Sequence, residues 1–155
     1  MLLLGVLAAA IVSSIHTEDI SQPNVLPNAS VEDLIIVYIV SLIVSNADVI
    51  SKADTKIKDT IKNRKRNEHY WEAYVYDNYV EIGDVISTIK ALKRVKEGKS
   101  VICAMRTDAY VLARSAAAPN KPYGPEIDKG KEHVIGFYYH YHISRENPSH
   151  IFYLR

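Results

Sequence analysis

Only one cysteine, Cys103, occurs in the 155 residues, so no disulfide can form within the chain. It lies in the apolar run S-V-I-C-A-M, where the one basic neighbour is Arg106. That setting suits a small buried hydrophobe better than an activated thiol. An excess of either charge is also missing. Nineteen basic and 18 acidic residues leave a net charge of +1, which gives the chain as a whole no electrostatic case for non-specific nucleic-acid binding. Aromatic residues are scarce in the first part of the chain, where Tyr38 stands alone before Tyr70. No internal repeat and no low-complexity segment is present, which excludes repeat architectures. The length is that of one domain with a tail.

Two local biases stand against this even background. Residues 1–14, M-L-L-L-G-V-L-A-A-A-I-V-S-S, are apolar and end in small residues. They have the form of the apolar and cleavage regions of a secretory signal, without its basic start. Residues 1–20 are therefore expected to be a leader, the protein to be secreted, and the membrane to be met only through that leader. The second bias is the basic run Lys56, Lys58, Lys62, Arg64, Lys65 and Arg66, which fits a solvated helix face or linker.

Residues 21–67 read as a linker and a helical region. Ser30-Val31-Glu32-Asp33 has the form of a capping box at a helix start. The apolar run L-I-I-V-Y-I-V-S-L-I-V follows; its periodicity fits a buried helix or a strand, and eleven residues do not span a bilayer. Val49, Ile50, Ile57 and Ile61 then have amphipathic helical spacing.

From about residue 68 to 155 the composition is that of a compact domain. Two β-rich runs flank Asp77-Asn78 and predict a hairpin. Asp84 is expected to cap a first helix that ends at Gly98, S-V-I-C-A-M to form a strand, and Thr107 to cap a second helix. Residues 118–131, rich in Gly and Pro, read as a long irregular loop. V-I-G-F-Y-Y-H-Y-H and H-I-F-Y-L predict a second hairpin. The expected fold is α+β: a small antiparallel sheet of N- and C-terminal hairpins with two helices, preceded by a helical segment.

The chemistry concentrates at the C-terminal end. His140 and His142 are two apart, so a strand points both to one face. Tyr138 shares that face, and His150 can approach His142 across the hairpin. Glu126 and Asp128 sit in the loop G-P-E-I-D, where Gly124 permits an unusual backbone angle and Pro125 stiffens the chain. Imidazoles titrate near neutral pH, so such a pair can serve as general base and general acid. This is what a metal-independent ribonuclease needs, with His140 or His142 as base, His150 as acid and Glu126 as orienter. Arg106, Lys129, Lys131 and Arg145 are candidates to stabilise the phosphorane charge. The tyrosines can stack bases. On this reading no cofactor is required. The same histidines also fit a zinc site, with Glu126 as fourth ligand or base. A half-exposed Tyr/His strand without chemistry is the third possibility.

Y-W-E-A, G-K-S-V-I-C, T-D-A-Y-V-L-A-R-S-A, G-P-E-I-D-K-G-K, Y-Y-H-Y-H and S-H-I-F-Y, in this order over residues 70–153, resemble the C-terminal domain of bacterial polymorphic toxins of the LXG and Rhs kinds. They also resemble that of small exported toxins of Gram-positive bacteria. The family pattern reads H-Y-H-P and F-Y-G where this chain has Ile143 and Leu154. The resemblance implies a toxin role, a cognate immunity protein as partner, and Glu126, His140, His142 and His150 as the positions that match its motif.

Overall fold

The computed structural model describes residues 30–154. The leader assigned to residues 1–20, and the linker up to residue 29, lie outside the described residues. The chain divides into two units, residues 1–40 and residues 41–155.

Helix α1 runs without a break over Val31–Lys62. At its start Ser30 Oγ accepts from the Asp33 amide at 3.2 Å, and Asp33 Oδ2 accepts from the Ser30 amide at 2.9 Å. This is the expected capping box, with Asp in the place usually held by Glu or Gln. The apolar run and the amphipathic stretch thus form one helix. Its late residues Ile57 and Ile61 are buried in the core of the second unit, so that unit begins well before the change in composition near Tyr70.

The second unit is α+β. Strands β1 (Tyr70–Val75) and β2 (Val80–Ile86) form the first hairpin, closed by Asp77-Asn78. They are followed by α2 (Thr88–Lys96), β3 (Val101–Cys103) and α3 (Arg106–Ala117). The chain ends in β4 (Tyr123–Glu126), β5 (Tyr139–His142) and β6 (Ile151–Tyr153). The six strands lie in one sheet in the order β2-β1-β3-β6-β5-β4. Every neighbouring pair is antiparallel except β3 and β6. That one parallel pair joins the two hairpins and makes the sheet mixed.

Alternation along the strands separates two cores. Val101, Cys103, Ile151 and Tyr153 face α2 and α3, whose Val95, Leu112 and Ala113 complete that layer. Ile102, Phe152, Trp71 and Ile82 face the other way and pack with Ile57 and Ile61. The central strands β3 and β6 are buried on both faces, which explains their unbroken apolar sequences. Cys103 is fully buried, and burial pushes its thiol well above its usual range. It packs and does not react.

Three local expectations change. Helix α2 is capped by Ser87, whose Oγ accepts from the Lys90 amide at 3.3 Å; Asp84 does not cap it. Val85 and Ile86 pair with Trp71 and Tyr70, and this pairing extends β2 beyond Asp84. Helix α3 starts after Met105 without a side-chain cap, and Thr107 lies inside it. Residues 123–126 of the expected irregular loop are strand β4, because the edge of β5 offers them backbone partners.

Candidate functional site

The sheet edge formed by β4, β5 and β6 builds the site. Register places His140 opposite Phe152 on β6 and Glu126 opposite His140 on β4. His150 precedes β6, two residues from Phe152, so it shares the face of His140 and His142. The three imidazole rings lie 4.6 to 4.9 Å apart, centroid to centroid. Their ligand-capable atoms all fall within 4.8 Å of one another.

Each ring is fixed from behind. His140 Nδ1 lies 3.0 Å from the Tyr138 carbonyl, and His142 Nδ1 lies 2.9 Å from the Ser149 carbonyl. Carbonyl oxygens only accept, so both Nδ1 atoms carry a hydrogen, and in the neutral form each ring presents its Nε2 lone pair. His150 stacks on Phe152 at 5.2 Å with an interplanar angle of 3°. Its amide donates to Ser100 Oγ at 3.0 Å, and its carbonyl accepts from the Val101 amide at 3.0 Å. Its Nδ1 is buried, with the Pro148 backbone beside the ring.

Glu126 faces these lone pairs. Its Oε1 is 3.3 Å from His142 Nε2 and 3.8 Å from His140 Nε2. His140 is buried, His142 is partly covered, and Glu126 is more than half exposed, so the cluster opens to solvent on the Glu126 side. Gly124 explains how the carboxylate reaches this place. Its φ is +104°, and a Cβ there would stand 2.8 Å from the His140 carbonyl oxygen. Only glycine lets β4 lie so close to β5. Gly124→Ala is expected to cost about 2 kcal/mol of stability, from left-handed strain plus the collision, and to displace Glu126. Chemical denaturation of the two proteins measures the first effect.

Behind the cluster is a cavity of about 120 Å³ lined by Asp128, His140, His150, Phe152 and the β1–β2 turn, including Tyr76, Asp77 and Tyr79. Among the described residues no Lys or Arg lines it. Burial depresses the pKa of His140. Burial, reinforced by the neighbouring rings of His140 and His142, pushes His150 down to about 4, while Asp128 pulls both histidines the other way.

The structure brings Glu126, His140, His142 and His150 together. The other candidates are placed differently. Tyr138 lines the cavity, but its hydroxyl donates to Asp54 Oδ1 at 2.7 Å in a buried tie to α1. Arg106 sits beside Pro125, Tyr139 and Tyr153, on the opposite face of the sheet. Arg145 lies over the Tyr123 ring at 5.1 Å, and Lys131 over Phe137 at 4.7 Å. Lys129 is exposed in the loop after β4. Ser100, Ser149 and Phe152, which hold the histidines in place, are not evident from the sequence. Ser100 lies fifty residues from His150, and only the parallel β3–β6 pairing joins them.

No protein-family model, curated protein or solved structure matches the chain.

Proposed function

We propose that the second unit is a metal-dependent hydrolase acting as a bacterial toxin, with a zinc-class ion held by His140, His142 and His150, its fourth position open, and with Glu126 beside it as the general base. One observation carries this reading: two Nε2 lone pairs and a carboxylate oxygen converge on one point. Three acceptors repel one another unless a positive charge lies between them, and that charge is a proton or a metal ion. A proton on buried His140 is opposed by desolvation. A metal ion suits the donor set, because ligating histidines commonly donate their other ring hydrogen to a backbone carbonyl. His140 and His142 do so. A tetrahedral zinc site sets ligand nitrogens about 3.3 Å apart, so the rings close by roughly 1.5 Å at most on binding.

Bound there, such an ion would polarise a water molecule or the scissile group. Glu126, exposed and adjacent, is placed to take a proton, and Asp128 supplies a second carboxylate on the cavity side. The acidic cavity wall, without Lys or Arg, leaves the ion as the element that meets a phosphodiester. Tyr76 and Tyr79, stacked at 4.7 Å beside the cavity, offer a flat surface to a base. RNA is therefore the proposed substrate, and an immunity protein covering the Glu126 side the proposed partner.

The 3.3 Å Glu126–His142 contact favours a second reading, a metal-free ribonuclease with His142 as base. In it His150 would be the acid, but its burial beside His140 and His142 pushes its pKa down to about 4, against the protonated form an acid needs at neutral pH. Metal analysis of the full chain, with controlled expression in cells and inspection of total RNA, separates the readings. One zinc per chain and growth arrest abolished by chelation support the hydrolase. Undiminished RNA cleavage by metal-free protein supports the second reading and overturns the first. Bound zinc with no growth arrest and intact RNA leaves a structural site and overturns both.

A further inference from the structure

The apolar part of α1 presents hydrophobic side chains to solvent on every side. Successive residues of an α-helix are about 100° apart, so Leu34, Ile35 and Ile36 divide the circumference. Val44, at about 280° from Leu34, fills the remaining quadrant. Their exposures are 45, 51, 43 and 37%. A protein groove or a second helix covers one side of a helix and leaves the others wet. A helix that is apolar all round requires surroundings that are apolar all round. The helix is long and apolar enough to cross a membrane, and none of its most apolar stretch is buried. Residues 34–45 form about 18 Å of helix, more than half of the roughly 30 Å hydrocarbon thickness of a bilayer, and Asn46 and Ile50 after them face the β1–β2 turn.

The flanks agree with this. Glu32 and Asp33 close the N-terminal end. Lys52, Lys56, Lys62, Arg64 and Lys65 follow the apolar stretch, where basic residues meet anionic headgroups at about 1 kcal/mol each. Asp48 follows this stretch, between it and the basic run. We infer that residues 34–45 of α1 insert into a lipid bilayer and that the basic run beyond them rests on its anionic surface. The candidate site would then work at a membrane, whatever becomes of the leader.

The chain's single native thiol is buried, so an introduced cysteine can be labelled selectively. Ile39→Cys and, separately, Arg64→Cys in the full chain would carry an environment-sensitive fluorophore. They would be mixed with vesicles of phosphatidylcholine and phosphatidylglycerol. Insertion is expected to blue-shift the label at position 39 and reduce its quenching by aqueous iodide several-fold, while position 64 stays accessible. Adding Ile36→Asp and Ile43→Asp should abolish that protection without changing the circular dichroism of the domain. Two results would overturn the inference. In one, the chain floats with vesicles while position 39 stays open to iodide, which leaves binding to the leader or the basic run. In the other, position 39 is protected without lipid in a chain that sediments as a dimer, which makes a second copy the covering partner.

Discussion

His142→Ala is expected to remove zinc from the purified chain and to abolish growth arrest while the domain stays folded. His142 supplies one of the converging lone pairs and is the ring closest to Glu126. Losing an outer partner of a metal ligand costs 10–100-fold in metal affinity, so losing a ligand should cost at least about 100-fold. The ring is only partly covered, and its one hydrogen bond, to the Ser149 carbonyl, leaves an acceptor that water can reach. The stability loss should therefore be near 1 kcal/mol. Metal content, thermal melting and RNA integrity, each compared with His133→Ala, test the claim. His133 is exposed and is not one of the clustered histidines. Global unfolding of His142→Ala with the metal still bound by the folded fraction would make His142 a packing residue and remove the ligand assignment.

Glu72→Ala is expected to destabilise the second unit by about 3 kcal/mol, the cost of breaking a largely buried ion pair by removing one partner. Glu72 sits on β1 under α2, where its Oε1 is 3.1 Å from both Arg94 and Lys90 and its Oε2 accepts from the Tyr74 hydroxyl at 2.7 Å. Arg94 is nearly covered and would keep its charge without the carboxylate. The pairing holds the Glu72 carboxyl below its ordinary range, first through Tyr74 and then Lys90. The folded pKa is thus lower than the unfolded one. The stabilisation is complete above the usual carboxylate range and is lost as pH falls through the folded value. Urea midpoints of wild type and Glu72→Ala should converge in acid. A constant gap down to pH 3 would show that the loss comes from packing and not from charge.

Much of this arrangement is legible in the residues. The capping box at Ser30, the hairpin at Asp77-Asn78, the apolar run around Cys103 and the common face of His140 and His142 follow from local rules of spacing and backbone preference. Gly124 also announced a special angle, and nearby Glu126 a loop carboxylate able to reach an imidazole, as it does at His142. The missed features depend on pairing. Residues 123–126 are a strand only because β5 lies beside them, and Asp84 is not a cap only because β2 continues on β1. His150 reaches the other two rings through the β5–β6 register, and Ser100 reaches His150 through a parallel pair formed across fifty residues.

The sequence by itself determined which chemistry was available: six histidines, three of them near one end of the chain, carboxylates in a stiff loop, and a single cysteine in an apolar run. It also determined the apolar run of α1, whose composition alone makes it unsuited to water. The tertiary structure decided that the three imidazoles meet, that Nε2 of His140 and of His142 face one carboxylate, and that Arg106 lies on the other side of the sheet. Among the described residues it also left none of the most apolar stretch of α1 buried. Local preferences act over a few residues and set the direction of a side chain within its own element. Where two elements meet is set by burial and backbone pairing across the whole chain, and the charge balance of a site exists only after they have met.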